Sequence, residues 1–218
     1  MPVKLVSALA TAIAAFAALT ATAQAPAPSG ATFVEGTHYK RITPAQPKIT
    51  DSGKVEVAEV FMYSCPGCYA FEPYLTKWRS TLPDNITFVR IPASFNAIAA
   101  LHARAFYTAE ALGKLDEIDA PFFEEFHQKG NRLDSEESLA DFFGRFGVDE
   151  QTFKTTFNSF AIHTKVKRAD ELIRRYTVPS TPSVVVNGKY LTDGRMAGSY
   201  EGWFRIIDQL AAAEQSAN

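Results

Sequence analysis

The chain has 218 residues, 46% hydrophobic and 21% charged, with a formal net charge of −2 at pH 7. That balance excludes a disordered, collagenous or coiled-coil chain, and the near-neutral charge gives no electrostatic reason to expect nucleic acid as a partner. Two cysteines are too few to staple a small secreted scaffold and enough for one site.

Lys4 is the only charge before Glu35, and Leu5 to Leu19 is almost wholly apolar. Small residues follow at Ala21-Thr22-Ala23-Gln24-Ala25. A basic start, a short apolar stretch and an A-x-A exit predict a cleavable export signal over 1–23, since a membrane span usually needs about 20 apolar residues. Residues 24–32 are expected to form a flexible mature N-terminus.

Val55 to Tyr63 is β-rich and mostly apolar on both faces, which suits a central covered strand. It leads into Ser64-Cys65-Pro66-Gly67-Cys68, then a helical composition from Tyr69 to Leu82 interrupted by Pro73. Ile86 to Ile91 reads as a second strand, parallel to the first. From Ala97 to Tyr176 the period is helical. Asp134 and Glu137 have capping-box spacing, and Gly147 closes that segment. Phe153, Phe157 and Phe160 form a stripe expected to be core. Ser183 to Leu191 carries two β runs around Asn187-Gly188, which predicts a type I′ hairpin, and Gly202 to Ala213 a final helix. A βαβ half and a ββα half separated by helices predict one α/β domain (33–97 and 166–218) with an inserted all-helical domain (98–165).

The chemistry is expected at the C-x-x-C. At a strand-to-helix junction Cys65 meets the free N–H groups and positive end of a helix dipole, and Pro66 suits the first turn because its missing N–H is no loss there. Cys68, one turn on, is the natural resolving thiol. The helix terminus supplies at best about 2 kcal/mol, enough to bring a thiol from about 8.5 to ~7. Gly67 adds no charge, and no Lys or Arg lies between Phe61 and Leu75. Arg90, on the next strand, is the nearest candidate for a cation.

Three other readings of the pair stand beside this one. A structural disulfide over so short a loop would stabilise by only about 2 kcal/mol. A metal site lacks further ligands at ligating spacing, because His38, His102, His127 and His163 are scattered and each is expected at a surface or helix position. Two inert buried thiols are the third.

With Thr181-Pro182 at the start of the returning strand and Val186-Asn187-Gly188-Lys189-Tyr190 beyond it, the mature chain resembles the DsbA family of the thioredoxin superfamily. Glu59, six residues before Cys65, matches that family's buried acid, and Pro73 its helix-kink proline. The resemblance implies a thioredoxin fold with an inserted all-helical domain. It implies a periplasmic oxidoreductase that donates a Cys65–Cys68 disulfide to newly exported proteins through a mixed disulfide at Cys65, with no cofactor and no metal. Pro66, Gly67 and Glu59 would support catalysis, and Thr181 and Pro182 would bind substrate. A DsbB-like, quinone-coupled membrane oxidase would be the reoxidant, and a monomer is expected. The alternative is a thioredoxin-fold reductase or isomerase serving a few envelope substrates. A non-enzymatic metal carrier is the third possibility, and Met1, Met62 and Met196 form no soft-ligand cluster to favour it. Many members carry His where this chain has Gly67, so how strongly it oxidises is left open at this level.

Overall fold

The computed structural model describes residue 1 and residues 32–216. The expected export signal and residues 24–31 lie outside the described residues. After a two-residue strand β1 (Lys40–Arg41), the chain enters β2 (Val55–Phe61), every residue of which is buried. The strand stops at Phe61, short of the expected Tyr63. Helix α1 (Pro66–Arg79) starts at Pro66, three residues before the expected Tyr69, and Cys65 is its N-cap. It runs through Pro73 without ending; a proline forfeits one ladder bond there but bends a helix more readily than it stops it. Strand β3 (Ile86–Pro92) then pairs parallel with β2, in a register that sets Glu59 opposite Arg90.

Five helices follow: α2 (Ala97–Ala111), α3 (Leu115–His127), α4 (Glu136–Gly144), α5 (Glu150–Phe157) and α6 (Phe160–Arg175). Asn96, Ser135, Asp149 and Ser159 each accept the backbone N–H three residues on, so four of the five starts are written in local chemistry. The capping box is Ser135 with Ser138, one residue beyond the expected Asp134–Glu137 pair. Phe153 and Phe157 are fully buried, as expected for core, but Phe160 is 86% exposed. It opens α6 after the Ser159 cap, so the helical period does not carry across from α5. The predicted junction at 165/166 falls inside α6, and residues from Phe33 onward form one compact unit.

Strands β4 (Ser183–Val186) and β5 (Tyr190–Asp193) form the predicted hairpin. Asn187 and Gly188 both have positive φ (53° and 66°), the type I′ requirement. Gly188 is also forced by space, because a Cβ there would lie 2.1 Å from the Gln46 carbonyl oxygen. The short α7 (Gly194–Ala197) and the terminal α8 (Tyr200–Ser216) complete the chain.

The sheet order is β1-β5-β4-β2-β3, with only β2 and β3 parallel. Val55 and Val57 pack with Phe71, Leu75 and Trp78 of α1 and with Trp203, Ile206 and Leu210 of α8. Ala58 and Val60 join a second, larger core that reaches through Ile173 and Tyr176 into the helical segment. A strand apolar on both faces is thus explained by two cores, one on each side. Cys68 belongs to the larger core and Cys65 packs against it.

Candidate active site

Cys65 caps α1 with its sulfur: Sγ accepts the Cys68 backbone N–H at 3.3 Å. The thiol itself donates to the Thr181 carbonyl oxygen at 3.4 Å. The Thr181–Pro182 peptide bond is cis. Gly67 permits the approach of that loop, since a Cβ at 67 would stand 3.2 Å from Pro182 Cδ and 3.7 Å from Cys65 Sγ. The Thr181 hydroxyl is buried with no hydrogen-bond partner among the described residues and is free to donate to an ionised sulfur. Both cysteines are free thiols.

These contacts hold the Cys65 thiol at about 5, lower than the helix terminus alone would give. The largest cause is the Cys68 thiol donating to it; partial burial opposes this, and the Thr181 hydroxyl and the N–H groups of Cys68 and Gly67 add to it. The resolving thiol, a hydroxyl and two amides therefore lower Cys65 without any charged side chain. Cys68 is the opposite case. It is fully buried, and burial, reinforced by its hydrogen bond to Cys65, pushes its thiol far above the ordinary range. One sulfur is ionised and half-exposed while its neighbour is neutral and enclosed.

Below them Glu59 is completely buried on β2. Arg90 reaches it with Nε at 2.8 Å, Glu72 of α1 with Nη2 at 2.6 Å and Asp119 of α3 with Nη1 at 2.5 Å. The Glu59–Arg90 contact is close but poorly aligned, leaving both Glu59 oxygens without a proper hydrogen bond. Tyr63 Oη donates to Asp119 at 2.6 Å, and the guanidinium lies 3.9 Å over the Phe61 ring. One cation faces three carboxylates. Burial raises Glu59, against the pull of Arg90, and raises Glu72 to about 7. Arg90 is fully spent here and supplies no cation to Cys65.

The structure thus brings together Cys65, Pro66, Gly67, Cys68, Thr181 and Pro182, with Glu59 beneath. Sequence reasoning missed Glu72, although it sits four residues after Cys68 on the same helix face. It also missed Tyr63, Asp119 and His127. His127 lies with Nε2 2.8 Å from the Tyr63 carbonyl oxygen and stacks on Tyr69 at 4.7 Å. Asp119 and His127 come from the inserted helices, and no local pattern announces such contacts. His102, expected at a surface or helix position, is in α2 but buried.

A cleft of about 630 Å³ opens beside Cys65, lined by Gly67, Thr181, Pro182, Arg195, Tyr200 and Trp203 among others. No helix among the described residues is long and apolar enough to cross a membrane.

The family model of the DSBA-like thioredoxin domain matches residues 56–200. The chain is 38% identical over 185 residues to the thiol:disulfide interchange protein DsbA of Pseudomonas aeruginosa, covering 85% of this chain and 87% of that protein. To the DsbA of Pseudomonas syringae it is 39% identical over 182 residues, 84% of this chain and 85% of the relative. A crystal structure of Pseudomonas aeruginosa DsbA superposes with a TM-score of 0.80 at 38% identity, covering 85% of this chain and 96% of that one. The oxidoreductase DsbA from Xylella fastidiosa gives 0.79 at 31% identity, covering 84% and 98%. With a family match that spans the cysteines, Glu59 and Thr181-Pro182, and with whole-length likeness in sequence and fold, this chain belongs to the DsbA family of thioredoxin-fold proteins.

Proposed function

We propose that this protein is a periplasmic thiol:disulfide oxidoreductase that passes a Cys65–Cys68 disulfide to newly exported proteins. The observation that carries this is the split between the two thiols, Cys65 low at about 5 and half-exposed, Cys68 buried and high. A disulfide whose reduced form contains a stabilised thiolate gives up its oxidation readily, because reduction is made easier by that stabilisation. A substrate thiolate attacks Cys65 Sγ, the Cys65–Cys68 bond breaks, and Cys68 leaves with the bonding electron pair. Cys68 is buried, so the departing thiolate needs a proton; Glu59, raised by burial, supplies it. The substrate's second thiolate then attacks its own sulfur in the mixed disulfide and expels the Cys65 thiolate, which the surrounding donors receive.

Thr181 and Pro182 bind the substrate segment in the cleft beside Cys65, the Thr181 backbone lying alongside an extended peptide. Pro66 and Gly67 keep the helix start open and uncluttered. A DsbB-like, quinone-coupled membrane oxidase restores the disulfide, and the protein works as a monomer. The test is a redox equilibrium against glutathione together with alkylation of Cys65 across pH. The expected result is an oxidising potential and an alkylation midpoint near 5. A potential as reducing as thioredoxin's would overturn the oxidase in favour of a reductase.

A further inference from the structure

The carboxylate cluster under the cysteines contains one member that the thioredoxin part of the chain does not provide. Asp119 is carried by α3 and reaches across to Arg90 at 2.5 Å while accepting the Tyr63 hydroxyl at 2.6 Å. Resting on the functional reading above, we infer that Asp119 is a positioning residue for disulfide exchange: by sharing Arg90 it keeps Glu59 from pairing with the guanidinium alone, so that Glu59 holds a proton for Cys68.

The geometry supports this from each side of Glu59. On β3 the only cation opposite it is Arg90, whose other two nitrogens are taken by Glu72 and Asp119. On α1 it faces Cys68, Glu72 and, more distantly, Arg79. On β4 its register partner is Val184, which has no charge. Three acids on one buried guanidinium cannot all be ionised without leaving net negative charge in the core, where isolated charge is costly. Asp119 accepts two hydrogen bonds, from Tyr63 and from Arg90. Glu59 has none, and burial raises both it and Glu72, so the proton resides with one of those two. Arg90 and Asp119 also line a cavity of about 390 Å³ on the far side of the cluster. Solvent there can return the proton that Glu59 gives up. When Cys68 leaves as a thiolate, one proton passes from the Glu59 carboxyl to Cys68 Sγ and Glu59 becomes a carboxylate; the proton count is closed by uptake from water.

The experiment measures the rate at which the oxidised protein oxidises a reduced two-cysteine peptide between pH 5 and 9, expressed per substrate thiolate. The wild type should fall with rising pH as Glu59 loses its proton. Asp119→Asn gives Arg90 wholly to the two glutamates, and the fall should move about one pH unit or more lower. Asp119→Glu should restore the wild-type profile. Tyr63→Phe, which leaves Arg90 untouched, should move it the same way by less, and it decides the matter if Asp119→Asn does not fold. A profile unmoved in Asp119→Asn or, failing that, in Tyr63→Phe, in an enzyme that is otherwise active, would make Asp119 a structural contact only. Absence of exchange in the wild type would instead remove the functional reading, and this inference with it.

Discussion

At position 67 the available space limits what a side chain could add. A Cβ would lie 3.2 Å from Pro182 Cδ and 3.7 Å from Cys65 Sγ. The first distance requires Pro182 to give way by a few tenths of an ångström; the second puts any cationic side chain directly beside the sulfur. Gly67→His is therefore expected to lower the Cys65 thiol further below 5 and to make the potential more oxidising, with a stability loss on the order of 1 kcal/mol from the crowding. Iodoacetamide titration and glutathione equilibration read both effects. If neither moves, the thiolate is already saturated by the Cys68, Thr181 and Gly67 donors. From the sequence the helix terminus was legible as a source of stabilisation. The Thr181 hydroxyl was not, because it reaches Cys65 across a fold contact between residues 116 apart in the chain.

Secondary elements were legible where chemistry is local. The Asn187-Gly188 turn demands positive φ at two successive residues, and few sequences other than Asn-Gly meet that demand. Apolar residues on both faces of β2 marked it as central, and two cores confirm it. Boundaries were harder. Asp134 and Ser135 are both good N-caps by type, and the choice between them depends on where the preceding loop delivers the chain. The geometry chooses Ser135, whose Oγ accepts the Ser138 N–H while Ser138 Oγ accepts the Ser135 N–H. Asp134 makes only an exposed 3.4 Å contact with Arg132. Ser135→Ala should thus cost about 1 kcal/mol by denaturant unfolding, and Asp134→Ala a few tenths at most. Equal costs would return the cap to Asp134. The Phe160 misassignment has the same origin: helical spacing in sequence continues through Ser159, but the cap there restarts the helix and turns the ring outward.

For the whole molecule, the α/β class and its helical insertion were legible, because the order of apolar periods is a one-dimensional record of layers. The electrostatics between layers were not, since Arg90 and Asp119 are 29 residues apart and His102 meets its two carbonyl partners at Arg132 and Leu133. These buried groups set how stability depends on pH, and they oppose one another. Burial lowers His102 to about 4, against an unfolded value near ~6.5, so the folded state binds fewer protons. Its contribution is complete above ~6.5 and is lost as pH falls towards 4. Burial raises Glu72 to about 7, against ~4.3 unfolded, so its contribution is present at low pH and lost as pH rises through 7. Glu59 has the same sign as Glu72. The oxidised form, in which Cys65 does not titrate, should therefore keep its stability between pH 7 and 5. Glu72→Gln removes one side of this balance. On acidification from pH 7 to 5 it should lose roughly 1–3 kcal/mol relative to the wild type, measured by denaturant unfolding at each pH. Parallel profiles for the two proteins would show that Glu72 is ionised at neutral pH, and that the buried proton stays on Glu59.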